Sequence, residues 1–519
     1  MMKVVFVEPP ANFIPVRHGV YFPNNGVLSL AAYLESFRFD VSIIDSYVNR
    51  FNYKDVLKEI SKLKPNIVAI SNSFTFKTYY CMAMAKLIKE YFPEIIIIAG
   101  GIHFSAVPEE SLRICDSIDY IIMGEGEKTI LELVQKISNR ENKNDFSGVR
   151  GLAYILDGKF IKTIPRPLIE DIDSLPIPAY HLLPLKAKRI PFSWQNSIGC
   201  TFSRGCFYKC KFCSSTTHWR YTLRRRGLDK MFEELELLNQ CYGKNSFVFG
   251  DDDFLYDKER NSNFLNEIEK RKLKIKYSVR TRVDEIIENR QLLKKFRDTG
   301  LISVSLGIER FSDNNMKLLS KSYDRNCVGE ALEMIKRVKI PITEIYLIFG
   351  LPNDNRSVWM NMIREINNMK QFVFFVSYLT PLPGTVLSKE LFSKINVWDY
   401  RKYDFMHPII ANNYSSLDEM KKYIWKTSFF WWFNPKILLW SIQNLYNFKF
   451  YLFRLLMHFR AVNNFFKFLI KSIFFKKINA YSSNIELIYK RHTKYIGQSH
   501  HIQVNKRGGL LGTSWGFMK

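Results

Sequence analysis

The chain has 519 residues, room for about three domains of ~150 residues each. Hydrophobic residues make up 47% and charged residues 24%, a globular composition that excludes a disordered chain. The net charge of +26 points toward an acidic partner, whether lipid, nucleic acid or an acidic redox protein. Eight cysteines in a chain this long, three of them clustered, fit a reduced cytoplasmic protein with a metal site. The opening Met-Met-Lys-Val-Val-Phe-Val-Glu-Pro-Pro has too short an apolar run for a signal peptide and reads as a first β-strand. No run of 18 uncharged apolar residues predicts a transmembrane helix.

Residues 1–145 alternate short apolar runs with helical patterns. Lys3–Val7, Val41–Ile44, Ile67–Ser71, Ile95–Ala99 and Tyr120–Met123 read as strands. Leu28–Ser36, Tyr53–Leu63, Tyr79–Tyr91 and Lys128–Ile137 carry apolar residues at helical spacing. Repeated strand–helix units predict a parallel sheet covered on both faces, with ligands bound beyond the carboxyl ends of its strands. Those ends carry Ser71-Asn72-Ser73, Gly100-Gly101-Ile102-His103 and Gly124-Glu125-Gly126-Glu127. Glycines there let a backbone approach a bulky ligand, which on these grounds is a nucleotide, a flavin or a corrin.

Residues 146–190 read as a connection. Leu152–Leu156, Asp157-Gly158 and Lys159–Thr163 predict a β-hairpin, since Asp-Gly suits a type I′ turn. The prolines at 165, 167, 176, 178 and 184 predict an extended linker lying against both flanking domains.

Residues 191–395 resume the alternation, with strands expected at Ser197–Phe202, Phe247–Phe249, Ile275–Val279, Ile302–Leu306, Ile345–Phe349 and Phe372–Tyr378. Six such units predict a partial barrel whose chemistry sits at the carboxyl ends of its strands. The first strand runs into Cys206-Phe207-Tyr208-Lys209-Cys210-Lys211-Phe212-Cys213. Three thiolates on one loop can hold three irons of a [4Fe–4S] cluster and leave the fourth open to a substrate; four would fill every iron. A zinc loop drawing on Cys200, or simply buried thiols, are the alternatives. Later strands end in Gly250-Asp251-Asp252-Asp253, Arg280-Thr281-Arg282-Val283-Asp284, Gly307-Ile308-Glu309, Gly350-Leu351-Pro352 and Pro381-Leu382-Pro383-Gly384. Arg204, Arg220 and the run Arg224-Arg225-Arg226 read as a solvated basic face.

In residues 396–519 the chemistry is least legible. From Lys421 on there are 17 Lys and Arg against one acid, Glu486, so the tail carries 17 − 1 = +16 of the +26. Phe429-Phe430-Trp431-Trp432-Phe433, then Phe448 to Phe459 and Phe465 to Phe475, crowd it with aromatics interrupted by basic residues. That pattern predicts amphipathic helices that either cap the barrel mouth or lie on an anionic membrane. No module for reading nucleic acid is recognisable.

The cysteine run resembles the cluster motif of the radical S-adenosylmethionine (SAM) enzymes, and the first domain resembles the cobalamin-binding domain found ahead of many of them. The latter match rests on Pro9-Pro10, on Gly26-Val27-Leu28-Ser29-Leu30-Ala31-Ala32-Tyr33-Leu34, on Gly100-Gly101-x-His103, on Pro108-Glu109-Glu110 and on Gly124–Glu127. The resemblance implies an α/β protein: a doubly wound, flavodoxin-like cobalamin domain, a partial (β/α)6 radical SAM barrel and a mainly helical C-terminal region. It implies Cys206, Cys210 and Cys213 as cluster ligands, with Phe212, Asp252, Asp253, Arg282 and Glu309 around SAM. It implies Ser71, Ser73, Gly100, Gly101, His103, Gly124, Glu125 and Gly126 around cobalamin. The family's Gly-Ile-Glu-Ser stretch departs here, with Arg310 in place of Ser. The Asp-x-His-x-x-Gly motif that supplies a lower cobalt ligand elsewhere is missing, and His18 stands in unmatched surroundings, so no protein histidine on cobalt is expected.

The implied activity is methylation of an unactivated carbon in a small or lipophilic substrate, through a 5′-deoxyadenosyl radical and methylcobalamin. An oxidative cyclase of the porphyrin-cyclase type is the alternative, and a non-catalytic cobalamin or redox sensor a further one. The implied partners are the substrate, an electron donor such as flavodoxin or ferredoxin, and an anionic membrane surface touched peripherally from the cytoplasm.

Overall fold

The computed structural model describes residues 2–11, 22–139, 146–185, 197–311, 319–321, 323–368, 373–423 and 480–506. The first sheet has seven strands in the order β2-β1-β3-β4-β5-β6-β7. They are β1 (Lys3–Glu8), β2 (Asp40–Asp45), β3 (Ile67–Ser71), β4 (Ile96–Gly100), β5 (Tyr120–Ile122), β6 (Leu152–Leu156) and β7 (Lys159–Lys162). The first five run parallel.

Strand β1 explains the doubly wound form. Val4 and Phe6 pack with Val27, Leu34, Ile130 and Leu133 on one face. Val5 and Val7 pack with Val56, Ile60, Met82 and Ile88 on the other. A strand with no polar side needs helices on both faces. Helix Tyr53–Leu63 starts where the sequence allows it: Asn52 and Asp55 form a reciprocal capping box.

The Asp157-Gly158 hairpin forms as expected, with both residues at positive φ, 49° and 74°. It belongs to the first domain rather than to the connection expected at 146–190, however. β6 pairs antiparallel with β5, so the hairpin is the edge of the first sheet. The proline-rich stretch that follows does touch both domains. Ala179 N donates to Leu28 O at 3.1 Å, and the Tyr180 hydroxyl donates to Glu234 at 2.7 Å.

The second sheet is six parallel strands in the order β15-β14-β13-β12-β11-β8. They are β8 (Ser197–Cys200), β11 (Ser246–Phe249), β12 (Lys276–Thr281), β13 (Leu301–Glu309), β14 (Ile342–Phe349) and β15 (Val373–Tyr378). Phe247, Phe249, Tyr277, Val279, Val304, Leu306, Ile345 and Leu347 face the helices and are buried. The alternate positions, among them Gly199, Ser278, Ser305 and Gly307, form the inner wall of a half-barrel. An antiparallel pair not expected from the sequence, β9 (Ser203–Gly205) with β10 (Leu223–Arg225), flanks the cysteine loop.

Of the basic tail, the helix Ala480–Lys506 is described, and it packs on helices Thr78–Tyr91 and Pro108–Ile114 of the first domain. The aromatic runs at 429–433, 448–459 and 465–475 lie outside the described residues. Among the described residues no helix is long and apolar enough to cross a membrane.

Candidate active site

The carboxyl ends of both sheets meet. Asn25 Nδ2 donates to Thr201 Oγ1 at 3.0 Å, joining the end of the β1 loop to the end of β8. Phe22, in the same loop, lies over Gly199 and Gly250; a Cβ on Gly199 would sit 2.4 Å from the Phe22 ring. The short helix Ile102–Ala106, which carries His103, packs against Ser214–His218, the helix that follows Cys213. The loops that end β4 and β8 therefore share one interface.

That interface is held by buried charge. Glu125 accepts from Arg204 at 2.6 Å and from Arg224 at 2.9 Å, and Glu127 pairs with Arg204. Glu125 also accepts from Ile169 N at 2.7 Å. Arg204 and Arg224 are thus not part of the solvated face expected from the sequence, whereas Arg220 is exposed. The partners of Arg204 and Arg224 come from another domain and lie 77 to 99 residues away in sequence, which local patterning does not record. The side chain of Glu125 is spent on this network, so its backbone is what remains for a ligand.

The cysteine loop turns on itself through Cys213 N donating to Cys210 O at 3.1 Å. Thr216 and Thr217 hydroxyls donate to Cys213 O at 3.1 and 3.3 Å. Burial, with Asp253 and Asp252 nearby, pushes the Cys206 thiol up to about 12. Burial and Asp252 push the Cys213 thiol up to about 11. Thiols so placed become thiolates only when a metal takes the place of the proton, which is what a cluster does. Among the described residues no three His, Cys, Asp or Glu side chains converge as ligands of a single ion. A cubane takes one thiolate on each of three irons, and the loop carries three cysteines. Cys200 is fully buried on β8, in the core with Tyr180 and Leu235. The donor set present fits a three-cysteine cluster.

Around this loop stand the other expected residues. Asp252 accepts from Ser215, one residue into the helix after Cys213. Asp253 accepts from Thr281 Oγ1 at 2.8 Å, and its buried Oδ2 has no hydrogen-bond partner among the described residues. Burial and then Glu285 raise its carboxyl to about 7. Arg282 is gripped by Asp284, at 2.9 Å through Nε and 2.8 Å through Nη2, and stacks 3.6 Å above the Tyr208 ring. Glu309 has φ of 63°, a left-handed conformation that costs an ordinary residue on the order of 1–3 kcal/mol and marks a constrained site.

Sequence patterning passed over the residue that faces Glu309. Lys321 Nζ lies 3.4 Å from Glu309 Oε1, donates to Gly307 O at 3.1 Å and sits 5.9 Å from the Phe212 ring centre. Its side chain is 6% exposed. Although burial opposes its charge, Tyr323, Glu309 and Cys210 hold the ammonium above its ordinary value. Nothing in its sequence surroundings, Ser320-Lys321-Ser322, distinguishes it from a surface lysine.

Arg310 explains itself in the structure. It is 1% exposed, points into the helix layer and pairs with Asp354. Asp354 also accepts from the backbone N–H groups of Gly350 and Leu351, each at 3.0 Å, and so fixes the Gly-Leu-Pro turn. The departure from the family's serine thus lies behind the site, not in it.

In the first domain, Ser71, Ser73, Gly100, Gly101, His103, Gly124 and Gly126 all fall at the carboxyl ends of β3, β4 and β5. Asn72, not singled out from the sequence, organises them. Its N–H donates to Gly100 O at 2.8 Å and its side-chain amide to Thr78 Oγ1 at 2.9 Å. Gly101, at φ 97°, lies so close that a Cβ would be 2.5 Å from Asn72 O. His103 is 2% exposed, held to Thr75 Oγ1 at 3.3 Å through Nδ1, and its Nε2 has no hydrogen-bond partner among the described residues. His18 lies outside the described residues. A glycine cradle with one buried, unpartnered ring nitrogen fits a large ligand that brings its own hydrogen-bonding groups, as cobalamin does.

Family models agree with this geometry. Residues 16–134 match the B12 binding domain and residues 200–366 the radical SAM superfamily. The chain is 30% identical over 412 residues to the anaerobic magnesium-protoporphyrin IX monomethyl ester cyclase of Rubrivivax gelatinosus, covering 79% of this chain and 73% of the relative. It is 29% identical over 445 residues to an uncharacterised methyltransferase of Pyrococcus horikoshii, covering 85% and 94%. It is 25% identical to the hopanoid C-3 methylase of Methylococcus capsulatus, covering 83% and 81%. Among solved structures, the cobalamin-dependent SAM radical enzyme OxsB with aqua-cobalamin and SAM bound superposes with a TM-score of 0.67 at 15% identity, covering 99% of this chain and 82% of that one. The chain belongs to the radical SAM enzymes that carry a B12-binding domain, with a [4Fe–4S] cluster, SAM and cobalamin as cofactors.

Proposed function

We propose that this enzyme transfers a methyl group to an unactivated carbon of a small or lipophilic substrate. The observation that carries the proposal is the packing of the His103 helix on the helix after Cys213, which sets the cobalamin loops against the cluster loop. A carbon with no lone pair or acidic proton needs a radical route, and a radical must meet its methyl donor before it meets water. Bound here, the cofactor set would supply one-electron cleavage of SAM and a methyl group for a carbon radical.

The residues divide the remaining work. Cys206, Cys210 and Cys213 hold the cluster. Asp253, with its buried acceptor, and Asp252 receive the methionyl ammonium, since charge-assisted bonds are roughly twice as strong as neutral ones. Glu309 and Lys321 form a buried pair beside Phe212 that orients the ribose and carboxylate ends of SAM. Arg282, already held by Asp284, stiffens Tyr208 over the cysteine loop. The small residues Gly199, Ser278, Ser305 and Gly307 on the inner barrel wall leave room for substrate.

An electron donor of flavodoxin or ferredoxin type, acidic against this basic chain, supplies the reducing electron. The basic, aromatic tail gives peripheral contact with an anionic bilayer, from which a lipophilic substrate is drawn. The test is anaerobic reconstitution with SAM carrying a deuterated methyl group, against a lipid extract, read by mass spectrometry. Transfer of the intact labelled methyl, lost in Cys206→Ala, is the expected result. 5′-Deoxyadenosine formed with loss of substrate hydrogen and no label would move the reading to a cyclase, as the Rubrivivax relative is named.

A further inference from the structure

The C-terminal helix buries one titratable residue among apolar ones. Ile485, Ile488, His492 and Ile496 line its inner face, and His492 is fully buried. Its Nδ1 lies 2.7 Å from the Tyr79 hydroxyl. Its Nε2 lies 3.3 Å from Glu110 Oε1 without aligning as a hydrogen bond. Glu110 accepts from the Tyr400 hydroxyl at 2.6 Å. The Tyr400 ring stands edge-on to the His103 ring at 4.8 Å between centres and against the His492 ring at 4.4 Å. Four segments far apart in sequence, around residues 79, 103–110, 400 and 492, thus converge on one closed polar cluster.

A buried carboxylate, imidazole and two phenols are a costly way to fill a core, since each loses water that its partners must replace. If the helix only covered apolar surface, leucines would do it. What distinguishes the cluster is its inner end. His103 lies two residues past the Gly100-Gly101 cradle, and its buried Nε2 has no hydrogen-bond partner among the described residues.

We propose that Glu110, Tyr400 and His492 are positioning residues for cobalamin: they fix the His103 ring so that its Nε2 meets a polar group on the cofactor's periphery, an amide or the phosphodiester, and not the cobalt. The proposal rests on the B12-binding assignment of the domain. It gives the C-terminal helix a place in the enzyme, as the outer wall of the cobalamin site. Tyr79 completes the cluster from the helix Thr78–Tyr91, and Asp399 and Arg401 flank it from the turn that carries Tyr400.

The experiment uses full-length, anaerobically reconstituted protein and equilibrium dialysis against hydroxocobalamin. His103→Ala, Glu110→Gln and His492→Gln should each weaken binding about tenfold or more, the loss expected for a hydrogen bond involving a charged or buried group. Tyr400→Phe, which keeps the ring and loses only the bond to Glu110, should fall between these and the wild type. The double variant His103→Ala/His492→Gln should bind no more weakly than His103→Ala, because both act through one contact. Iron content and the cobalt's electronic spectrum should be unchanged in all of them. Wild-type affinity in Tyr400→Phe and His492→Gln, or losses that add in the double variant, would overturn the proposal. So would loss of iron together with cobalamin in His492→Gln, since general loosening would then account for both. Failure of the wild type to bind hydroxocobalamin would instead refute the domain assignment.

Discussion

Asp354 carries three bonds in a fully buried place, and replacing it by Asn should be among the most damaging single changes in the barrel. Arg310 and Asp354 are 1% and 0% exposed. In Asp354→Asn the guanidinium stays charged and buried without its counter-ion, which costs roughly 3–5 kcal/mol. The Asn carbonyl can still accept from Gly350 and Leu351, so the turn is weakened and not lost. For a domain of this size that corresponds to a fall in Tm of about 6–20 °C, at roughly 2–4 °C per kcal/mol. Arg310→Met should cost less, because Asp354 keeps both backbone donors. The double variant Arg310→Met/Asp354→Asn should recover most of the loss, since a buried pair is worth little against an apolar replacement. Calorimetry of the four proteins measures all of this. Because Arg310 follows Glu309 directly, Asp354→Asn should also raise the KM for SAM while leaving iron content intact. A Tm within about 2 °C of wild type for Asp354→Asn, or a double variant worse than either single one, would show that the pair does not anchor the strand end.

Three other outcomes follow from named contacts. Gly199→Ala drives a Cβ to within 2.4 Å of the Phe22 ring and should destabilise by about 1–3 kcal/mol, while the same change in a Phe22→Ala background should be nearly neutral; equal costs in both backgrounds, by thermal melting, would contradict the wedge. Burial holds His103 down to about 4, against an ordinary value of 6.5, so the unfolded chain binds a proton in that window and the folded one does not. Stability from this group is therefore complete above about pH 6.5 and should fall by roughly 3 kcal/mol between there and pH 4, a slope that His103→Gln should remove from urea titrations. The full-length protein should float with anionic but not neutral vesicles, less so as salt rises, and absence of flotation at low salt would end the membrane reading.

The fold was legible where the physics is local. Val4 to Val7 have no polar face, so a doubly covered strand follows from the residues alone, and the Asp157-Gly158 turn follows from the torsion angles those two residues tolerate. The cysteine spacing and the strand-end motifs placed the chemistry for the same reason: each is a run of neighbours. What escaped reading was every feature made by residues brought together only in space. Arg224 in a run of three arginines looks solvated until Glu125 arrives from another domain. Lys321 looks like any surface lysine until the strand end at Gly307 and Glu309 closes on it. Arg310 looks like a defect in a motif until Asp354 is found opposite. These three cations share a design. Each has its side chain largely shielded from solvent beside a strand-end loop, and the carboxylate it meets comes from a different element of the fold. A radical enzyme has to keep several loops from two sheets in fixed register while large cofactors come and go, and apolar packing alone, being non-directional, tolerates small slips. Buried ion pairs add little net stability but penalise misalignment heavily, because a half-broken pair leaves a bare charge in the core. On that argument the arginine and lysine pairs around the cysteine loop are retained for register, and their loss should scatter the cofactor loops before it unfolds the domains.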